Sequence, residues 1–280
     1  MSKIIDGKAL AEKIKDELVG EILKLKTSRP DLAIILVGER ADSKLYVEMK
    51  EKEAKKIGID THLYKCPENI SENELYDVIE FLNKDTTIDA ILVQLPLPEN
   101  FDTDGIIAAI DKEKDVDRFH PDNLEVLLKT CNHQHVMPPV FAVVLEMLKS
   151  IDVDPKDKQI CIVANSNIFG VSLARVLECK GAHVDAVKGD DKALVSKTKE
   201  ADILISALGR PKFIKKKMVK KDAVVIDIGI SREAEKICGD VDFDEVEKVA
   251  SFITPVPGGV GPMTIAMLFK NTLELYKKRH

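Results

Sequence analysis

No apolar run in this 280-residue chain approaches the ~18 residues that a membrane-crossing helix requires. The N-terminus becomes charged at once, with Lys3, Asp6 and Lys8, so no signal peptide is expected. There is no excess of positive charge: 42 Lys and Arg against 48 Asp and Glu leave a formal charge of −6. That balance argues against a general polyanion grip on nucleic acid. Cys66, Cys131, Cys161, Cys179 and Cys238 are odd in number, scattered, and without a C-x-x-C pair. A zinc site or disulfide framework therefore has little support, and buried free thiols in a reducing cytoplasm are expected, with no bound metal. Neither an internal repeat nor a low-complexity tract is evident, and Lys215-Lys216-Lys217 reads as a solvated turn.

What is present is ample for a core: 45% hydrophobic residues in a chain long enough for one large or two modest domains. Six short, nearly continuous apolar runs read as parallel strands buried on both faces: 33–37, 90–94, 159–163, 183–187, 202–206 and 223–227. Between them, Ile14, Leu18, Ile22 and Leu25, and likewise Leu75, Val78, Ile79 and Leu82, recur at helical spacing. Strand and helix alternate, so the fold class is α/β. The polar stretch Cys131-Asn132-His133-Gln134-His135, followed by a helix from about Phe141 to Ile151, marks the join between two domains. The expected division is 1–137 with 263–280 for the first domain and 138–262 for a second, Rossmann-like one. A cleft lies between them in this reading.

The most constrained segment is Ile253-Thr254-Pro255-Val256-Pro257-Gly258-Gly259-Val260-Gly261-Pro262-Met263-Thr264, with three prolines and three glycines in twelve residues. Proline fixes φ while glycine permits φ > 0 and close backbone approach, so this loop offers main-chain groups to a ligand in one shape. A sharp strand-to-helix connection would need fewer such residues. Upstream, Tyr46 and Lys50 stand four apart in Ser43-Lys44-Leu45-Tyr46-Val47-Glu48-Met49-Lys50 and share a helix face. A lysine beside a phenol in a dry cleft can move protons or stabilise an oxyanion, although surface Tyr/Lys pairs are common. Gln94 ends a buried strand in Val93-Gln94-Leu95-Pro96-Leu97-Pro98, where open α/β sheets bind ligands; the alternative is a turn cap. In Lys114-Asp115-Val116-Asp117 a carboxylate can take paired hydrogen bonds from an aminopyrimidine edge, or simply belong to an acidic loop.

Together these segments resemble the methylenetetrahydrofolate dehydrogenase/cyclohydrolase family, whose signatures include ITPVPGGVGPMT, S-x-x-Y-V-x-x-K, VQLPLP and KDVDG. The resemblance implies two α/β domains and one-carbon folate chemistry. Methylenetetrahydrofolate would give hydride to a nicotinamide cofactor, and water would hydrolyse the methenyl product to formyltetrahydrofolate. It also implies a tetrahydrofolate substrate, a homodimer, and a last helix packed on the first domain. Lys50 would carry proton transfer and charge stabilisation, Tyr46 would pack along the folate and orient Lys50, and Gln94 would support Lys50 and the water. Asp117 would anchor the pterin, and Pro257, Gly258 and Gly259 would line the substrate cleft. Ala164, Asn165, Ser166, Gly189 and Ile230 fall where the family binds its dinucleotide, NADP by resemblance.

Departures from the family pattern concentrate around that dinucleotide. Asn165 stands where the family carries an arginine that helps to grip the extra phosphate of NADP. Lys188-Gly189-Asp190-Asp191 replaces H-S-x-T, and carboxylates there suit a ribose diol but repel a 2′-phosphate. The stretch Pro138 to Val143 loses a threonine and a glycine of P-C-T-P-x-G, and Arg118 follows Asp117 where the family has glycine. A left-handed turn at 118 would strain an arginine. Asn165, Asp190 and Asp191 thus leave NAD, or no productive cofactor, as alternatives to NADP. The competing functions are a monofunctional cyclohydrolase with a degenerate cofactor site, a non-catalytic folate-binding protein, and an oxidoreductase of an unrelated substrate.

Overall fold

The computed structural model describes residues 3–26, 28–131, 136–233 and 236–280. In chain order the strands are β1 (Lys3–Ile4), β2 (Asp31–Val37), β3 (Asp60–Cys66), β4 (Ala90–Val93), β5 (Gln159–Ala164), β6 (His183–Val187), β7 (Ile203–Ala207), β8 (Val224–Asp227), β9 (Ser231–Glu233), β10 (Lys236–Cys238) and β11 (Phe252–Ile253). The helices are α1 (Gly7–Ile22), α2 (Ala41–Ile57), α3 (Glu72–Lys84), α4 (Thr103–Ala109), α5 (Pro121–Thr130), α6 (Pro139–Ser150), α7 (Asn167–Glu178), α8 (Leu194–Glu200), α9 (Phe243–Val246) and α10 (Val260–Arg279). The chain forms two compact units, Glu12–Pro139 with Ile265–His280 and Met1–Ala11 with Val140–Thr264. The expected division assigned the N-terminal residues to the first domain. They cluster with the second unit because β1 pairs in parallel with β11, Lys3 opposite Phe252 and Ile4 opposite Ile253. Of the expected join, residues 132–135 lie outside the described residues.

In the first unit β2 is the central strand of a parallel sheet ordered β3-β2-β4. Its residues from Leu32 to Val37 are all buried, as a strand covered on both faces must be. Sequence periodicity missed β3 because it is an edge strand with alternating, partly exposed residues, Asp60-Thr61-His62-Leu63-Tyr64-Lys65-Cys66. Helix α2 ends where Gly58 turns left-handed at φ 88° and its N–H bonds the Ala54 carbonyl. Its buried residues, Ser43, Val47, Lys50, Ala54 and Ile57, recur at three- and four-residue intervals, so the stripe facing the core contains a lysine. Helix α10 contributes Ile265, Leu268, Phe269, Leu273 and Tyr276 to the same core as Leu18, Ile34, Val47 and Leu92.

The segment after α4 is held against β4. Ile91 bridges Asp115 in parallel, and Ile91 N–H donates to the Lys114 carbonyl at 2.8 Å. Lys114 is 1% exposed, yet its ammonium is satisfied by the carbonyls of Leu82, Asn83 and Asp85 at 2.8, 2.8 and 2.6 Å. A cation at the C-terminal end of α3 is favoured by the helix dipole and by the carbonyls left without partners there. The buried amide of Asn271 donates to the Val116 and Met137 carbonyls, both at 2.9 Å, tying α10 to the same segment.

The second unit carries a six-stranded sheet in the order β1-β11-β8-β7-β5-β6, with every pairing parallel, and a separate antiparallel pair β9-β10. Beyond the ends of β7 and β8 two buried carboxylates organise the loops. Asp240 accepts the Ser206 hydroxyl and the N–H groups of Leu208 and Arg210. Asp227 accepts the N–H groups of Gly229, Asp240 and Val241. Burial pushes the Asp227 carboxyl up to about 7, reinforced by the charge of Asp240 and opposed by its backbone donors.

Cys66, Cys161 and Cys238 are free thiols, but Cys131 and Cys179 are disulfide-bonded, which corrects the expectation of five free thiols. Spacing along the chain excludes a C-x-x-C motif; it says nothing about cysteines distant in sequence. The Asp227 network makes one position intolerant of any side chain. A Cβ at Gly239 would lie 2.0 Å from Asp227 Oδ2, the atom that accepts the Val241 N–H. Gly239→Ala is expected to lower the unfolding free energy by about 1–3 kcal/mol, the usual cost of overpacking, read by chemical denaturation. Wild-type stability in that variant would show that the carboxylate is free to move.

Candidate functional site

Helix α2 delivers Tyr46 and Lys50 to one side of the first unit, and the carboxyl end of β4 delivers Gln94. Gln94 N–H continues the ladder to the Ile35 carbonyl at 2.9 Å, which sets the position of its side chain. Lys50 Nζ donates to Gln94 Oε1 at 2.8 Å, and Gln94 Nε2 donates to the Leu95 carbonyl at 2.6 Å. Both ends of the amide are thereby engaged, so its orientation is set. The next peptide, Leu95–Pro96, is cis. Lys50 Nζ also stands 5.8 Å from the centre of the Tyr46 ring.

Lys50 is only 9% exposed, and among the described residues no carboxylate is ion-paired with it. Loss of water lowers its pKa below the ordinary lysine value, while the charge of Asp117 acts in the opposite direction. Asp117 is partly buried, and desolvation pushes its carboxyl up to about 6, against the pull of Lys50 and with a further push from Asp115. Burial also raises the Tyr46 phenol. The four residues Tyr46, Lys50, Gln94 and Asp117 therefore form one group: a desolvated amine held by an amide, beside an aromatic face and a carboxyl group.

Two neighbours did not stand out as site residues in the sequence. Asp115 accepts the N–H groups of Arg118 and His120 at 2.9 and 2.8 Å and the Asn123 amide at 3.0 Å, folding the loop that carries Asp117. The alternating acids of Lys114-Asp115-Val116-Asp117 were its signal. Ser43 shares the inner stripe of α2 with Lys50, and its hydroxyl is buried without a hydrogen-bond partner. Arg118 does adopt the left-handed conformation, at φ 59°, with its guanidinium donating to the Lys112 carbonyl at 2.8 Å and its Nε unpaired. The turn therefore has the shape a glycine would take, at a cost of about 1–2 kcal/mol for a residue with a Cβ.

Pro257, Gly258 and Gly259 belong to the second unit, with the expected cofactor residues. The Val256–Pro257 bond is cis and Gly258 has φ 106°, a region open to glycine. The loop is tied down by Asp227 N–H donating to the Thr254 hydroxyl at 2.7 Å and Lys8 N–H donating to the Gly258 carbonyl at 3.0 Å. Ala164 ends β5, and Ser166 caps α7 by accepting Phe169 N–H at 3.2 Å. The first-turn N–H groups of Asn167 and Ile168 have no acceptor within the helix. The Asn165 amide donates to the Leu208 carbonyl beyond β7 at 2.8 Å. Gly189 follows β6, and Ile230 follows β8 with an exposed side chain. Parallel strands, a capped helix N-terminus after the β5 strand, and a glycine at the end of the neighbouring strand fit a dinucleotide laid across the sheet ends. Among the described residues no group of three or more His, Cys, Asp or Glu could hold a metal ion, and no helix is long and apolar enough to cross a membrane.

Family models match both units. Residues 5–117 match the tetrahydrofolate dehydrogenase/cyclohydrolase catalytic domain, and residues 138–280 match the NAD(P)-binding domain of the same family. The bifunctional protein FolD of Nitratiruptor sp. is 45% identical, with 99% of each chain covered. The crystal structure of the bifunctional FolD enzyme from Campylobacter jejuni is 43% identical, covers 100% of both chains and superposes with a TM-score of 0.95. The Trypanosoma brucei enzyme, solved with NADP cofactor and inhibitor, is 33% identical, with 99% of this chain and 98% of that one covered and a TM-score of 0.94. The Lys50 group, the dinucleotide-type sheet and these matches along the full chain place the protein in the tetrahydrofolate dehydrogenase/cyclohydrolase family.

Proposed function

We propose that this protein oxidises methylenetetrahydrofolate with a nicotinamide dinucleotide and hydrolyses the methenyl product to formyltetrahydrofolate, with Lys50 as the central group. The observation that carries the reading is the state of that lysine: buried, held by Gln94 and, among the described residues, without an ion-paired carboxylate. A structural lysine in the same unit, Lys114, looks different, since three carbonyls take up its ammonium. Ala164, Asn165, Ser166, Gly189 and Ile230 would hold the dinucleotide, whose nicotinamide would supply a hydride acceptor for the methylene carbon. In the hydrolytic step neutral Lys50 takes the proton from the attacking water, and as an ammonium it offsets charge on the oxygen that forms. Gln94 aims the amine, Tyr46 offers its ring face to the folate, and Asp117 takes paired hydrogen bonds from the aminopyrimidine edge. Backbone groups at Pro257, Gly258 and Gly259 border the substrate in this reading, and two copies of the chain associate as a homodimer in the cytoplasm. NADP is the proposed dinucleotide. Measuring hydride transfer and methenyl hydrolysis in the same preparation tests the bifunctional reading, because a monofunctional cyclohydrolase would show only the second.

Lys50→Met is expected to fold normally and to lower methenyl hydrolysis by roughly 10²–10⁴-fold, the range for loss of a positioned proton-transfer group. Hydrolysis near the wild-type rate in the folded variant would remove Lys50 from the chemistry.

The lowered pKa of Lys50 sets a sign for the pH dependence. The neutral amine is the active base, so hydrolysis should rise with pH and level off below the ordinary lysine value of 10.5. A rising limb centred at or above that value would assign the titration to another group.

Asp117→Ala should weaken folate binding roughly ten- to a hundredfold, since a hydrogen bond to a charged group is worth about 1.5–3 kcal/mol. Unchanged folate affinity, measured by calorimetry, would mean that the carboxyl does not meet the pterin.

A further inference from the structure

Asn165 carries no charge, but an arginine stands at the ribose end of the sheet. Arg210 lies in the loop after β7, the strand on one side of β5, while Gly189 follows β6 on the other. The two loops meet. A Cβ added at Gly189 would come 3.2 Å from Arg210 Nη1 and 3.1 Å from a Leu208 methyl, so the guanidinium rests against the Gly189 backbone. The end of the strand following the first β-α turn is where a dinucleotide-binding sheet meets the adenosine ribose.

Arg210 is placed there by the fold. Its N–H is anchored on the buried Asp240 carboxylate at 2.7 Å, and its guanidinium stands 5.3 Å from the centre of the Phe213 ring. Among the described residues it has no ion pair, and neither does Lys188, the other cation of this rim. Of the two nearby carboxylates, Asp191 is engaged locally, accepting the Ala193 N–H at 2.8 Å. The side chain at 165 is itself turned toward this loop, since its amide holds the Leu208 carbonyl two residues before Arg210.

We propose that Arg210 supplies the cation that recognises the 2′-phosphate of NADP, assisted by Lys188, with Asn165 positioning the Arg210 loop. The proposal rests on the dinucleotide-binding reading of the second unit. A planar guanidinium suits a phosphate because it offers two parallel donors, and a guanidinium already held against Phe213 and Gly189 loses little freedom on binding. The carboxylates of Asp190 and Asp191 then set the limit of the affinity rather than its sign.

Calorimetry on the full chain with NADP, NAD, 2′,5′-ADP and 5′-AMP tests this. Wild-type protein should bind NADP more tightly than NAD and 2′,5′-ADP more tightly than 5′-AMP. Arg210→Gln should weaken NADP and 2′,5′-ADP roughly ten- to a hundredfold, as expected for a lost charge-assisted contact, and leave NAD and 5′-AMP within about twofold. Equal losses for all four ligands would assign the guanidinium to stacking on adenine and overturn the proposal, as would no loss for any. Wild-type protein that binds NAD but not NADP would overturn it while leaving the dinucleotide reading intact. Failure to bind either would overturn both. Because Arg210 is exposed, circular dichroism is expected to show an unchanged fold in the variant.

Discussion

Burying the Lys50 amine is the constraint on which the candidate site depends. An ammonium removed from water loses several kcal/mol of solvation, and here one amide oxygen and a nearby carboxyl group offset only part of it. The unit must therefore hold the lysine in place by packing. Helix α2 does so by placing Lys50 in the same stripe as Val47, Ala54 and Ile57, with the parallel sheet and α10 completing that core. The lysine is thus a core position occupied by a titratable group, and its shifted proton affinity follows from where the helix faces.

The carboxyl ends of the strands do the rest of the positioning, with different devices in the two units. In the first, the parallel bridge between Ile91 and Asp115 sets the Asp117 loop beside Gln94, and Asp115 folds that loop by accepting three donors. In the second, Asp227 and Asp240 collect backbone N–H groups from the loops after β7, after β8 and before α9. In each case buried carboxylates bind backbone donors that would otherwise be unsatisfied. This gives irregular loops fixed shapes without secondary structure.

Asn165 and Arg118 show how a departure from a family pattern reads in three dimensions. The arginine at 118 adopts a left-handed backbone and uses its side chain on the Lys112 carbonyl. The asparagine at 165 presents a short, neutral side chain that bonds a neighbouring loop. The first is accommodated within its own turn, and the second ties two loops together.

Much of this was legible in one dimension. Continuous apolar runs marked β2, β4, β5, β7 and β8, because strands covered on both faces need no polar alternation. The Tyr46–Lys50 spacing, Gln94 before its prolines and the 253–264 loop were readable because helix period and φ restriction are local properties. Edge strand β3 and two-residue strands β1 and β11 were not, since their existence depends on pairing partners far along the chain. Nor could the chain alone show that burial lowers both lysines, Lys50 held by one amide oxygen and Lys114 by three carbonyls, or that Asp115 organises the loop while burial pushes Asp117 up to about 6. It could not show that Cys131 and Cys179 are not free thiols, or that Arg210 rests against Gly189. Residue type, spacing and backbone restriction are properties of the sequence. Desolvation, pairing and the meeting of distant loops exist only once the chain has folded.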